Sequence, residues 1–163
     1  TYPLPEAQVD RFLLKLHVDY PTRAEERIIL ERMAGRAPAR INPILGPNEI
    51  RALRGVVNCV HVDEKIKDYV LDLVFATRDP AAYGLDAAHL IPYGASPRAT
   101  LALTQASRAR ALLAGRSFVV PEDVKTTAHE VLRHRILVTY EAEAEQLSSD
   151  HVIDRLLDHV EVP

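Results

Sequence analysis

The sequence predicts a mainly α-helical protein: a helical bundle over residues 44–163, joined by a linker at 36–43 to a helix–strand–helix segment at 1–35. Three observations carry that prediction. Apolar residues recur at three- and four-residue spacing along most of the chain. Proline, serine, threonine or aspartate stands repeatedly where such a stripe begins. Only one stretch, residues 12–18, alternates with the period of a strand.

The elements follow in order. Pro5 suits the first turn of a short helix. Residues 12–18 place Phe12, Leu14, Leu16 and Val18 on one face and Leu13, Lys15 and His17 on the other, which is strand periodicity. A lone strand leaves its N–H and C=O groups unpaired, so its partners are expected upstream of Thr1. Thr22 with Glu25 forms a capping box for a helix carrying Ile28, Ile29 and Met33, and Gly35 sits where a helix stops.

After the linker the spacing predicts about five helices. The first opens at Gly46-Pro47, with Leu45 stapled to Ile50 and a stripe of Leu53, Val57 and Val60. The second is capped by Asp63, buries Ile66, Tyr69, Val70, Leu73 and Val74, and ends at Asp79-Pro80. The third is capped by Ser96, with Pro97 at its first position, and runs Ala-rich to Gly115. The fourth opens at Pro121, with Val119 stapled to Val124. Val120 stands there where Thr or Ser would cap, at a cost of about 1 kcal/mol. The fifth runs from Ser149 to about Val160. Residues 135–140 fit either an extended piece or a helix end.

Composition narrows the function classes. The 163 residues are 47% hydrophobic and 26% charged, with net charge −3, so nucleic acid and anionic lipid are not expected partners. No apolar run reaches the ~18 residues of a membrane span. The single cysteine, Cys59, excludes an intrachain disulfide and is expected as a buried structural thiol in a reducing, cytoplasmic setting. The six glycines are never closer than Gly46 and Gly55, so neither a P-loop nor a dinucleotide fingerprint can form. Thr1 is not a start methionine, and a fragment, a processed product or an excised segment is expected.

The main chemical signal is Gly94-Ala95-Ser96-Pro97-Arg98. Ser96 and Pro97 mark a helix start, and Arg98 in the first turn stands at the positive end of the dipole. An arginine and free backbone N–H groups aimed at one spot suit a phosphate. An ion pair between Arg98 and a nearby carboxylate is the ordinary alternative. Arg11, just before the strand, is the second candidate, against an ordinary surface arginine. His129 and His134 are five apart, about 140° around a helix, which fails the zinc-protease spacing; no metal site is expected. Arg108, Arg110, Arg116, Arg133 and Arg135 read as either a basic patch or scattered helix-surface charge.

The residues Tyr2-Pro3-Leu4-Pro5-Glu6-Ala7-Gln8-Val9-Asp10-Arg11-Phe12 resemble the segment after sensor 1 in MoxR-type AAA+ ATPases. Gly94-Ala95-Ser96-Pro97-Arg98-Ala99 resembles their sensor 2 motif, and His134-Arg135-Ile136 and Tyr140-Glu141-Ala142-Glu143-Ala144-Glu145 resemble their C-terminal stretch. The resemblance implies that residues 1–35 are the C-terminal end of an α/β ATPase core and that 44–163 are its helical lid. It implies Arg98 as sensor 2 in a nucleotide site with Ser96 and Pro97, and Arg11 as an arginine finger acting in trans. ATP and Mg²⁺ would serve a full-length hexameric parent, a chaperone-like remodeller working with von Willebrand A-domain proteins; no cofactor is expected on this chain alone. Walker A, Walker B and sensor 1 would all precede Thr1. The rival reading is a non-enzymatic helical module that binds protein or DNA, against which the unpartnered strand argues.

Overall fold

Helix starts coincide with caps. The structure, a computed structural model, describes residues 2, 4–34 and 41–163. Its helices are α1 (Glu6–Val9), α2 (Arg23–Met33), α3 (Pro47–Cys59), α4 (Glu64–Arg78), α5 (Pro97–Leu113), α6 (Pro121–Leu132), α7 (Tyr140–Ala144) and α8 (Ser149–His159), with a 3₁₀ turn at Pro80–Tyr83. Thr22 and Glu25 close the expected box: the Glu25 N–H donates to Thr22 Oγ1 (3.4 Å) and the Thr22 N–H to Glu25 Oε2 (2.7 Å). Asp63 accepts from the Lys65 N–H (3.0 Å) and Ser96 from the Arg98 N–H (3.2 Å). At α6, Val120 offers no acceptor, but Asp123 reaches back to the Val120 N–H (3.0 Å), which supplies half of a reciprocal cap. Residues 135–140, open in the sequence, are a turn followed by α7, whose cap Thr139 accepts from the Ala142 N–H (3.2 Å).

The core lies among α4, α5, α6 and α8. Tyr69, Leu73, Leu103, Leu132, Ile153 and Leu156 are fully buried there, with Leu90 from the α4–α5 connection. α5 turns Ala99, Ala102 and Ala106 inward at helical spacing. These small side chains let α4 and α6 pack against it closely. The only bridge among the described residues is parallel, His61 to Phe118; it ties the α3–α4 connection to the α5–α6 connection.

Two expectations need correction. Residues 12–18 form no strand: a bend at Phe12 and Leu13 leads into chain without regular secondary structure, and no neighbouring strand is present among the described residues to complete a ladder. The front segment is therefore helix–irregular–helix rather than helix–strand–helix. Its apolar side chains, and those of α2, are uncovered: Phe12, Leu16, Val18, Ile28, Ile29 and Met33 are all exposed. Cys59 is exposed, not buried, because α3 buries none of its residues. Gly35, expected to stop α2, and most of the expected linker lie outside the described residues.

Candidate functional site

The site is built on the end of α4. After α4 the chain returns across its last turn at Gly94, where a Cβ would lie 2.6 Å from both Arg78 Cα and Thr77 O. Only glycine allows that approach. The Thr77 hydroxyl donates to Val74 O (2.6 Å) and accepts from the Ala95 N–H (2.9 Å), while the Arg78 Nε–H donates to Ala95 O (2.9 Å). The loop so held delivers Ser96 as cap and Pro97 as the first residue of α5. Gly94→Ala should therefore cost about 1–3 kcal/mol of stability. Urea denaturation would measure it, and a loss below about 0.5 kcal/mol would mean that the loop is not pinned to α4.

Asp10, from the front segment, meets this helix start. Ser96 Oγ donates to its carboxylate, 3.1 Å from Oδ1 and 2.9 Å from Oδ2. Arg98 Nη1 stands 3.4 Å from Oδ2, and Arg135 Nε 3.2 Å from Oδ1. The carboxyl alternative for Arg98 is thus realised, but loosely: its side chain remains 50% exposed and can reach a further anion. The free N–H groups expected in this turn are not free. Pro97 has none, the Arg98 N–H bonds Ser96 Oγ, and the Ala99 N–H bonds Ser96 O (2.9 Å). The Arg98 guanidinium is the group left for a phosphate. Arg11 follows Asp10 directly, is exposed, and has no side-chain hydrogen bond or ion pair among the described residues.

The arginines do not make a basic patch. Arg116 forms a forked pair with Asp123 (2.8 and 2.6 Å), with Arg110 3.7 Å from the same carboxylate. Arg133 pairs with Asp150 (3.1 Å), and Arg135 is buried. Carboxylates of Asp123, Asp150 and Asp10 take up Arg110, Arg116, Arg133 and Arg135, and Arg108 alone of the five has no ion pair among the described residues. The two histidines of the rejected zinc motif have separate partners: His129 Nε2 lies 2.9 Å from Asp154, and His134 Nε2–H donates to Phe12 O (3.1 Å). Burial pushes the His134 imidazole below its usual range, partly offset by the Phe12 carbonyl. Its Nδ1 is buried with no partner, which suits the neutral ring. Burial also lowers the Arg135 guanidinium, and Asp10 pulls it back; it stays charged.

Residues 85–156 match the AAA lid domain family. Over 163 residues the chain is 44% identical to Chaperone MoxR1 of Mycobacterium tuberculosis, covering 99% of this chain and 43% of that protein. It is 37% identical to Protein MoxR of Paracoccus denitrificans, over 90% of this chain and 48% of that one. A crystal structure of a candidate ATPase from Cytophaga hutchinsonii superimposes with a TM-score of 0.95 at 41% identity, over 99% of this chain and 50% of that one. Nearly the whole chain is thus similar to the MoxR group of AAA+ proteins.

It spans about half the length of the curated relatives it matches, 43% to 49% of each. Sequence reasoning singled out Arg98 and Arg11 and missed the residues packed around them. Asp10 and Arg135 carry the local geometry. The available signal was position: Asp10 adjoins Arg11, and Arg135 sits between residues of a turn that buries both His134 and Ile136.

Proposed function

We propose that this chain forms the helical lid (44–163) and the adjoining end of the ATPase core (1–35) of a MoxR-type AAA+ ATPase. In this reading Arg98 is sensor 2, in contact with the nucleotide phosphates, and Arg11 is an arginine finger that reaches the ATP of a neighbouring subunit in a hexameric ring. The observation that carries it is the convergence on Asp10: one carboxylate joins the residue before Arg11 to the helix start that presents Arg98. The uncovered apolar row from Phe12 to Met33 supports the assignment of the front segment to a sheet-bearing core.

The residues present fit a phosphate at one point only. Arg98 can offer a charged donor, whereas Ser96 and Pro97 contribute by starting the helix that carries it. No glycine pair can cradle phosphates, and among the described residues no acidic or histidine cluster could hold Mg²⁺. ATP and Mg²⁺ are therefore assigned to the full-length parent, and this chain alone is inactive. The work done with that ATP would be chaperone-like remodelling of partner complexes in the cytoplasm, with von Willebrand A-domain proteins as companions. The name of the mycobacterial relative supports the chaperone part. Among the described residues no helix is long and apolar enough to cross a membrane. The DNA-binding reading loses its basis once most of its arginines are paired.

The test is Arg98→Ala in the full-length parent. It should slow ATP hydrolysis by about 10²- to 10³-fold, the usual cost of removing one donor aimed at developing charge. Hydrolysis at the parental rate would overturn the sensor 2 role.

A further inference from the structure

Among the described residues Arg11 has no side-chain hydrogen bond or ion pair to fix it, but the backbone around it is held tightly. The holder is Arg135, just past the end of α6. Its Nη2 donates to the carbonyl oxygens of Asp10 (3.1 Å) and Phe12, the residues on either side of Arg11. Its Nη1 donates to Leu13 O (3.2 Å) and to Val131 O, and its Nε to Asp10 Oδ1. These contacts use all five N–H donors of a guanidinium in a side chain only 2% exposed. Four of the five acceptors come from residues 10–13, so the group serves that segment rather than its own helix. Neighbours reinforce the hold: the Lys15 N–H donates to Glu130 O (2.8 Å), and His134 donates to Phe12 O.

The same Asp10 carboxylate that binds Arg135 accepts Ser96 Oγ and faces Arg98. A continuous set of charged contacts thus runs from Arg98 through Asp10 to Arg135, and from Arg135 to the backbone on both sides of Arg11. We propose that Arg135 is a positioning residue for Arg11, and that Asp10 links that position to the helix start bearing Arg98. The inference rests on the reading of Arg11 as the trans-acting finger. It assigns to the lid the task of aiming a residue of the core end. A planar fork suits this task because it can bond divergent carbonyls at once; a lysine ammonium cannot span them.

The experiment is a double-mutant cycle on ATP hydrolysis by the full-length parent, using Arg135→Lys, Arg11→Ala and the pair. Arg135→Lys keeps the charge and most of the stem. It should lower kcat about 10- to 100-fold, as a misplaced catalytic group does. KM should change by less than about threefold, because the finger acts in the transition state and not in binding. The pair should be no slower than Arg11→Ala alone, since Arg135 would have nothing left to aim. Mixing Arg135→Lys subunits with Walker A-deficient subunits should restore activity, because the latter carry well-placed fingers. If the two losses instead multiply, Arg135 acts independently of Arg11 and the proposal is overturned, while the finger reading stands. If Arg11→Ala alone hydrolyses at the parental rate, the finger reading itself fails. Should Arg135→Lys subunits not assemble, Asp10→Asn, which leaves the carbonyl contacts in place, is read in the same cycle. An unchanged kcat or a multiplicative loss there overturns the link assigned to Asp10.

Discussion

Subunits of the full-length parent carrying Arg11→Ala should hydrolyse ATP about 10³- to 10⁵-fold more slowly, the contribution arginine fingers make in other phosphoryl-transfer systems. The loss should appear in kcat, because the guanidinium meets charge that develops only as the phosphoryl group transfers. Its signature is complementation. A subunit with Arg11→Ala has an intact nucleotide site but no finger, and a Walker A-deficient subunit has a finger but no nucleotide. Mixed in one ring, the finger of the second meets the ATP of the first, and activity returns. Arg98→Ala mixed in the same way should not be rescued if Arg98 serves the site of its own subunit. Two assembled variants that regain nothing on mixing would show that Arg11 does not act across subunits.

Asp123→Ala should destabilise the fold by about 3 kcal/mol, the low end for breaking a buried ion pair. The Asp123 side chain is 2% exposed and holds three groups at the start of α6: the Arg116 fork, the more distant Arg110 and the Val120 N–H. Arg116, 29% exposed, can turn toward water, which keeps the loss from being larger. Burial opposes the charge on Asp123, but the Arg116 and Val120 hydrogen bonds and the field of Arg110 outweigh it, so its carboxyl is held below the usual range. A depressed carboxyl pKa means that the unfolded chain takes up the proton first. The stability it contributes is present above the unfolded pKa of about 3.9 and is lost as pH falls through the folded value. His134 acts higher on the scale. Burial, with the charges of Arg135 and Lys15, pushes its imidazole below 6.5, so stability should start to decline as pH drops below that value. Urea midpoints against pH should therefore fall in two stages, and Asp123→Ala should remove only the more acidic one. A midpoint that is flat from about pH 7 to 5 would contradict the assignment to His134.

The helices were legible because their signals are local. Thr22, Asp63 and Ser96 are caps in the sequence and caps in the structure, and the buried stripe of α4 is the one its spacing predicts. Cys59 and residues 12–18 were misread because burial and pairing depend on what lies alongside, which periodicity does not contain. The Arg98 region was half legible. The helix start and the outward arginine follow from Ser96-Pro97-Arg98, but occupation of the first-turn N–H groups by Ser96 does not. Arg135 was hidden for the opposite reason. A buried arginine looks like any surface arginine until its acceptors, more than a hundred positions earlier, are placed beside it.

The Arg135 clamp also decides what can be exchanged between relatives. The linker that the sequence suggests at 36–43 invites a crossover there, with one protein's front segment joined to another's bundle. Such a chimaera would divide a guanidinium from four of its five acceptors, and would set Asp10 from one parent against Ser96 and Arg98 from another. Recombination at the linker is then tolerated only between parents that share both halves of the contact. A junction placed ahead of Asp10 would instead keep Arg135 and its acceptors from one parent.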